Sequence, residues 1–428
     1  MLAEVFTSLD TPQLHQQLRK IDRKGGAFRS APEGLSEWLY RSRERRGYGW
    51  VTLPGLTTPG NGRANPNSTP NNLPAGVEYV SGSLFSISSG IAVVVMEFTY
   101  AEEFSRSFGR LLNGRYTTEK RRLHGRRSGW SIVDVARQKE VAARKWREAR
   151  HKEAKEWLNL HFNGFFSRDS KIGLPAVEIL YTRGFDAWSH EGQGGLGRRL
   201  SALQLDSRFH SYWVSSTDPA VRVRHDEHGD AEGFKFESLK VAINRDAFSP
   251  NPDELEERFE MLSYALEEMT AKWALNRLVA RSGERFNRTR NNITKALRGG
   301  SFRGIIRLRD DFLRNGMEAN LAVREVVEVT TEQRVWSGDL PEFLETTPPG
   351  FSRQPVPLEQ LWRDWQSVEA DRISKVEQEF RDISSNAAAL TNAAYNARLQ
   401  GRVFWITIAS LAVALVALWV SYASLQKG

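Results

Sequence analysis

The sequence predicts an α+β fold: an N-terminal mixed domain with an antiparallel-rich sheet, then a helical, coiled-coil stalk and one C-terminal transmembrane helix. Three observations predict it. Strand-like segments dominate residues 48–245. Heptad-like apolar spacing begins after Pro252 and returns after Leu358. Residues 403–423, VFWITIASLAVALVALWVSYA, hold no charge. With 428 residues, 13 Trp, 22 Phe and 10 Tyr, the chain exceeds one small core and is not wholly disordered. With no Cys it has no disulfide scaffold, thiolate metal site or Cys nucleophile.

Residues 1–250 form the expected cytosolic α+β domain. Residues 1–47 read as helical and polar, with Leu14, Leu18 and Ile21, then Leu35, Trp38 and Leu39, as short apolar faces. Residues 48–53 resemble a strand. Residues 54–76 hold five Pro, four Gly and five Asn, the composition of a mobile loop. Strands follow at 77–80, 84–88 and 91–100; the last, IAVVVMEFTY, is apolar on both faces and so central in its sheet. A basic loop and helix occupy 115–160, with Ser131 and Asp134 as a capping-box-like start to the helix. Residues 177–181, 209–214, 221–224 and 233–243 read as strands, the last half-exposed by its alternation.

From 251 to 340 the chain reads as a helical hairpin region. Leu255, Phe259, Leu262, Leu266, Met269 and Trp273 form a heptad-like seam, and further helices are expected at 287–298 and 303–329. Residues 341–357 are a Pro-containing linker. A stalk helix spans 358–402, on the order of 65 Å if helical throughout. Its seam runs Ile373, Val376, Phe380, Ile383, Ala387, Leu390, Ala394 and Ala397, preceded out of phase by Leu358, Leu361, Trp365 and Val368. The lower seam is small (Ala394, Ala397, Gly401) and Ser410, Ala414 and Ala417 continue it into the span, where small residues let helices approach. This set, from Ile383 to Ala417, is the candidate homo-oligomer seam, and packing on the chain's own helices is its alternative.

Residues 403–423 span roughly 30 Å as a helix, a bilayer's hydrocarbon thickness. Trp405 stands near one end, and Trp419 and Tyr422 near the other. Arg398 and Arg402 precede the run and Lys427 follows, so the N-terminal domain is expected to be cytoplasmic on a single-pass inner (plasma) membrane protein, in tail-anchor topology.

The net charge of +8 is concentrated: residues 115–155 hold fourteen Lys or Arg against five acids, 14 − 5 = +9. Lys120, Arg121, Arg122, Arg126 and Arg127 crowd a Gly-interrupted stretch. Such a block reads either as a solvated helix face or as a contact for the anionic inner leaflet. Thin aromatic interleaving argues against nucleic acid.

Two further motifs carry candidate chemistry. Gly192, Gly194 and Gly197 match G-x-G-x-x-G, followed by Arg198 and Arg199. The flanking sequence lacks the buried strand of a dinucleotide site, so a Gly turn with anion affinity at Arg198 and Arg199 is the reading. His225, Asp226 and His228 crowd one short segment and are the candidate metal ligands, with a polar hairpin loop as the alternative. No residue is assignable as catalytic, and no cofactor is named by any motif.

The order of parts is loosely similar to CorA-type divalent-cation transporters, over the last 170 residues at most. Those proteins have two spans and a Gly-Met-Asn signature between them. This chain has one span and no such motif, so no site is carried over. The expectation is a membrane-anchored protein whose domain binds a ligand or partner and couples through the stalk. A membrane-tethered enzyme with a polar site at 190–232 and a pore-forming assembly are the alternatives.

Overall fold

The computed structural model describes residues 1–25, 33–45, 48–58, 69–70, 72–122, 130–168, 173–183, 187–188, 203, 212–225, 238–248, 252–298, 317–331, 342–346 and 354–425. Two units divide the chain: Met1–Gly283 with Met317–Ala370, and Glu284–Gly316 with Asp371–Gly428.

The first unit is mixed α+β, built on an 11-stranded sheet among its described residues. In chain order the strands are β1 (Leu2–Phe6), β2 (Gly49–Thr52), β3 (Leu56–Thr57), β4 (Thr69–Pro70), β5 (Val77–Ser86) and β6 (Ala92–Tyr100). The separate hairpin of β7 (Glu119–Arg122) and β8 (Trp130–Val133) follows. Then come β9 (Ala176–Thr182), β10 (Tyr212–Ser215), β11 (Val221–His225), β12 (Ser238–Asn244) and β13 (Phe343–Thr346). The spatial order is β13-β10-β11-β12-β9-β1-β6-β5-β3-β4, with β2 also on β5. Pairs β9/β12 and β3/β4 are parallel and the rest antiparallel.

The sequence reading of residues 1–47 as helical is corrected at its start, because β1 lies inside the sheet. It pairs with β6 from Leu2↔Met96 to Phe6↔Ala92 and touches β9 at Leu2↔Ala176. A carboxylate in the middle of LAEVF hides the strand from a hydropathy reading. The fold accommodates it: Glu4 is fully buried and accepts from the amides of Val5, Phe166 and Ser167 and from the Ser167 hydroxyl.

Seven helices are described: α1 (Thr11–Gly25), α2 (Leu35–Glu44), α3 (Glu102–Asn113), α4 (Val135–His161), α5 (Pro252–Arg298), α6 (Met317–Thr331) and α7 (Leu358–Leu425). One sheet face presents Val177, Val221, Val223, Leu239, Val241 and Ile243, and Leu266, Met269 and Trp273 of α5 pack on it with Leu358 and Trp362 of α7. The heptad-like spacing at 259–273 therefore marks a helix laid on a sheet. Strand alternation turns Glu178 and Lys240 to the other face, where Arg147 of α4 meets Glu178 at 2.8 Å. Glu325 of α6 accepts from the Ser88 hydroxyl (2.5 Å) and the Gly90 amide (3.1 Å), closing the β5–β6 turn.

Other expectations shift. The stretch at Lys120, Arg121 and Arg122 is strand rather than loop. Asp134 alone caps α4, its carboxylate accepting from the Arg137 amide at 2.7 Å, while Ser131 belongs to β8. The strand near 238 is buried rather than half-exposed, Lys240 included; residues 233–237 lie outside the described set. Residues 252–298 are one continuous helix where two were expected. The Pro-containing linker contributes β13, because Phe343 completes the apolar cluster. Segment 54–76 includes the short strands β3 and β4; residues 59–68 and 71 lie outside the described set.

In α7 the buried face of the first unit is Leu358, Trp362 and Gln366, whereas Trp365 and Val368 are exposed. In the second unit Phe286, Ile373 and Val376 are buried, and Arg290 meets Glu379 at 3.3 Å. Helix α7 then continues without interruption to Leu425.

Candidate functional site

Residues Asn396–Trp419 of α7 are long and apolar enough to cross a membrane, with mean hydropathy 2.0 and none of that window buried. A soluble core helix of this composition would be covered; this one presents Phe404, Trp405, Leu411, Leu415, Leu418 and Trp419 outward. Of the candidate seam, Ile383, Leu390, Ala394, Ala397, Gly401, Ser410, Ala414 and Ala417 all fall on α7. Ala397, Gly401, Ser410, Ala414 and Ala417 are exposed, and the side chains of Ile383, Leu390 and Ala394 lie outside the described set.

The basic block divides in two. Along α4 five of the eight cations are in ion pairs: Arg137–Glu140 (2.6 Å), Arg144–Glu148 (3.7 Å), Arg147–Glu178 (2.8 Å), Arg150–Glu153 (2.9 Å) and Lys152–Glu156 (3.9 Å). Trp146 of α4 gathers Phe104 and Phe108 of α3 at centroid distances of 5.7 and 4.5 Å, with Arg150 over the Phe104 ring. On the hairpin Lys120 is exposed, and Arg121 and Arg122 share its strand. Arg126, Arg127, Arg198 and Arg199 lie outside the described residues, as do Asp226 and His228. His225 ends β11 with its ring edge-on to Trp273, at 4.7 Å. Among the described residues no three His, Asp or Glu converge for a metal ion.

Under α4 and α5 the sheet holds a buried polar cluster. The Met1 amino group donates to the Val177 carbonyl at 2.7 Å, with Glu97, Glu178 and Glu267 close enough to act on its charge. Ser83 donates to Glu267 at 2.6 Å and Ser263 to Glu97 at 3.0 Å. Burial pushes the Glu267 carboxyl up to about 7, with Glu97 adding to the shift. Burial also holds His151 of α4 down at about 3, with Lys155 reinforcing it. These groups are sealed by packing and tie helices to the sheet.

The open site is between α1 and α2. On α1, Pro12, His15, Gln16, Arg19 and Lys20 recur at helical spacing on one face, while Leu14 and Leu18 on the opposite face are fully buried. On α2, Ser36, Glu37 and Tyr40 face the same space, and Leu35 and Leu39 are buried. The two apolar faces lock both helices, so the polar faces line a cleft of about 670 Å³. His15 Nδ1 lies 3.0 Å from the Ser36 hydroxyl. Burial, then Arg43 and Arg19, hold the His15 pKa below its ordinary value, so the ring is neutral at pH 7. Asp22 accepts from the amides of Leu35 (2.8 Å) and Ser36 (3.2 Å), occupying the donors at the start of α2. Gly34 permits this approach: its φ is 93°, and a Cβ there would stand 3.2 Å from the Asp22 carboxylate. With those amides taken, neither of them is free to donate to a molecule beside the His15–Ser36 pair. Sequence reading found both apolar faces but passed over the polar set opposite them, whose 3–4 spacing was the available signal.

Comparison with family models, with curated proteins and with solved structures returned no match.

Proposed function

We propose that this is a tail-anchored, single-pass membrane protein whose cytoplasmic α+β domain binds a ligand and couples that binding to a helical, homo-oligomeric stalk. The observation that carries the reading is the uncovered apolar stretch Asn396–Trp419 at the end of a helix that begins in the domain core at Leu358. Arg398 and Arg402 on its N-terminal side support a cytoplasmic domain on the inner membrane. Small residues at Ala394, Ala397, Gly401, Ser410, Ala414 and Ala417 support close approach of a second copy. The cleft between α1 and α2 is the described site suited to the ligand. The hairpin carrying Lys120 is the candidate contact for anionic lipid.

Two measurements test this. Membrane flotation of the full chain and of a chain lacking residues 403–428 should separate them, the first floating and the second remaining soluble. Cysteines placed at Ala394 or Ala397 in this Cys-free chain should crosslink in membranes; their failure to do so removes the oligomer while leaving the anchor standing.

A further inference from the structure

We propose that the cleft between α1 and α2 binds a phosphate ester of a flat-ringed organic molecule, the class that includes nucleoside monophosphates. This rests on the binding half of the function proposed above and not on the membrane anchor.

The charge argument comes first. Glu37, the acid that lines the cleft, is held by Arg41 at 3.2 Å, and the nearby Asp22 is occupied by the first amides of α2. Arg19 and Lys20 are exposed and have no ion-pair partner among the described residues. They stand next to each other on the cleft face of α1, so the cleft lining carries two cations against one acid, Glu37, which Arg41 already pairs. A phosphate monoester brings close to two negative charges at neutral pH and several strong acceptor oxygens. Gln16 and the neutral His15 add hydrogen-bonding groups on the same face.

The size and the walls point to an organic moiety. A volume of about 670 Å³ falls within the range of small-molecule sites, roughly 300–1,000 Å³, and far exceeds what a bare phosphate fills. Tyr40 lines the cleft and is 52% exposed. Its ring and Pro12 give the cleft an aromatic and apolar part of its lining. An aromatic face of this kind stacks on heterocycles and gains little from a glycerol chain. The cationic end and the aromatic end therefore ask for one molecule bearing both a phosphate and a ring.

The test is calorimetric titration of the full chain in detergent with four probes: AMP, adenosine, glycerol phosphate and inorganic phosphate. AMP is expected to bind at least about tenfold more tightly than each of the others, with an affinity that falls as salt is added. The double variant Arg19→Gln/Lys20→Gln should weaken AMP by about tenfold or more without moving the melting temperature, because both side chains are exposed. Tyr40→Ala should weaken AMP while leaving inorganic phosphate unchanged. Equal binding of AMP and adenosine, or AMP binding untouched by the double variant, would overturn the phosphate half. Glycerol phosphate binding as well as AMP would overturn the ring half and transfer the site to a lipid headgroup. Absence of binding by every probe would overturn the proposal outright. Flotation of the same preparation reads the anchor separately, so failure of the ligand and failure of the anchor are distinguishable.

Discussion

Arginine substitutions within residues 403–419 offer a quantitative test of the anchor. Eleven large apolar side chains between Val403 and Trp419 are exposed by 39% to 71%. Full burial of such a side chain is worth about 1.5–3 kcal/mol, so covering the roughly six-tenths now exposed gains on the order of 10–20 kcal/mol. An Arg near the middle of a span costs about 2.5–3.5 kcal/mol and forfeits about 1–2 kcal/mol from the Leu it replaces. Leu415→Arg alone should therefore leave at least about 5 kcal/mol in favour of the membrane, and the protein should still float with vesicles. The triple variant Leu411→Arg/Leu415→Arg/Leu418→Arg costs about 10–17 kcal/mol, which is as large as the whole gain. That protein should leave the floating fraction. Flotation is the right assay because an aggregate sinks. Release by the single change would mean that the exposed apolar surface is not what holds the chain. Persistent flotation of the triple variant would refute the reasoning from the other side.

Four further outcomes are expected. Asp22→Ala removes the acceptor for two α2 amides and should cost about 1 kcal/mol, read as a lower thermal midpoint, with Gly34→Ala destabilising the same junction through its positive φ. His151, held at about 3 against an ordinary 6.5, makes the unfolded chain the better proton acceptor between those values. Stability should fall as pH drops from 6.5 towards 3, and His151→Gln should flatten that limb in denaturant titrations. Glu267 has the opposite sign: raised from 4.5 to about 7, it makes the folded state the better proton acceptor, so stability falls as pH rises through that window. Glu267→Gln should gain on the wild type across the same interval. Trp146→Ala removes the ring against which Phe104 and Phe108 rest, and α3, which has no fully buried residue, should lose hydrogen-exchange protection while β5 and β6 keep theirs.

Parts of the fold and site are legible in the sequence where one physical signal acts alone. The span is a run of uncharged residues, and transfer free energy needs nothing else to read it. Strand β6 announces itself as five consecutive apolar residues with Val at three of them. Where a polar group is buried by a distant partner, the local signal misleads. Glu4 disguises β1 because most of its donors come from residues 162 and 163 positions further on, and Lys240 disguises the depth of β12 because Glu178 lies beside it in the parallel register. The seam at 259–273 reads correctly as helix but not as to partner, since a sheet of Val and Ile offers the same apolar stripe as a second helix. The α1–α2 cleft was half visible: its buried faces have a hydropathy signature, whereas Arg19, Lys20 and Tyr40 are ordinary surface residues until two helices bring them together. The Gly-rich and His/Asp segments at 192–199 and 226–228 lie outside the described residues.

The strand order sets a timetable for synthesis. β1 is made first, yet its neighbours β6 and β9 emerge some 90 and 170 residues later, and β13 reaches β10 only after α5 and α6 have been made. Such non-local pairing folds slowly and keeps bare strand edges in solution while it waits. The apolar end of α7 follows every strand in chain order, so the ribosome delivers the stickiest segment only after the sheet has its full set of strands. A nascent chain stalled near residue 330 would hold open edges and no apolar tail, and it is at that length that a chaperone has most to cover.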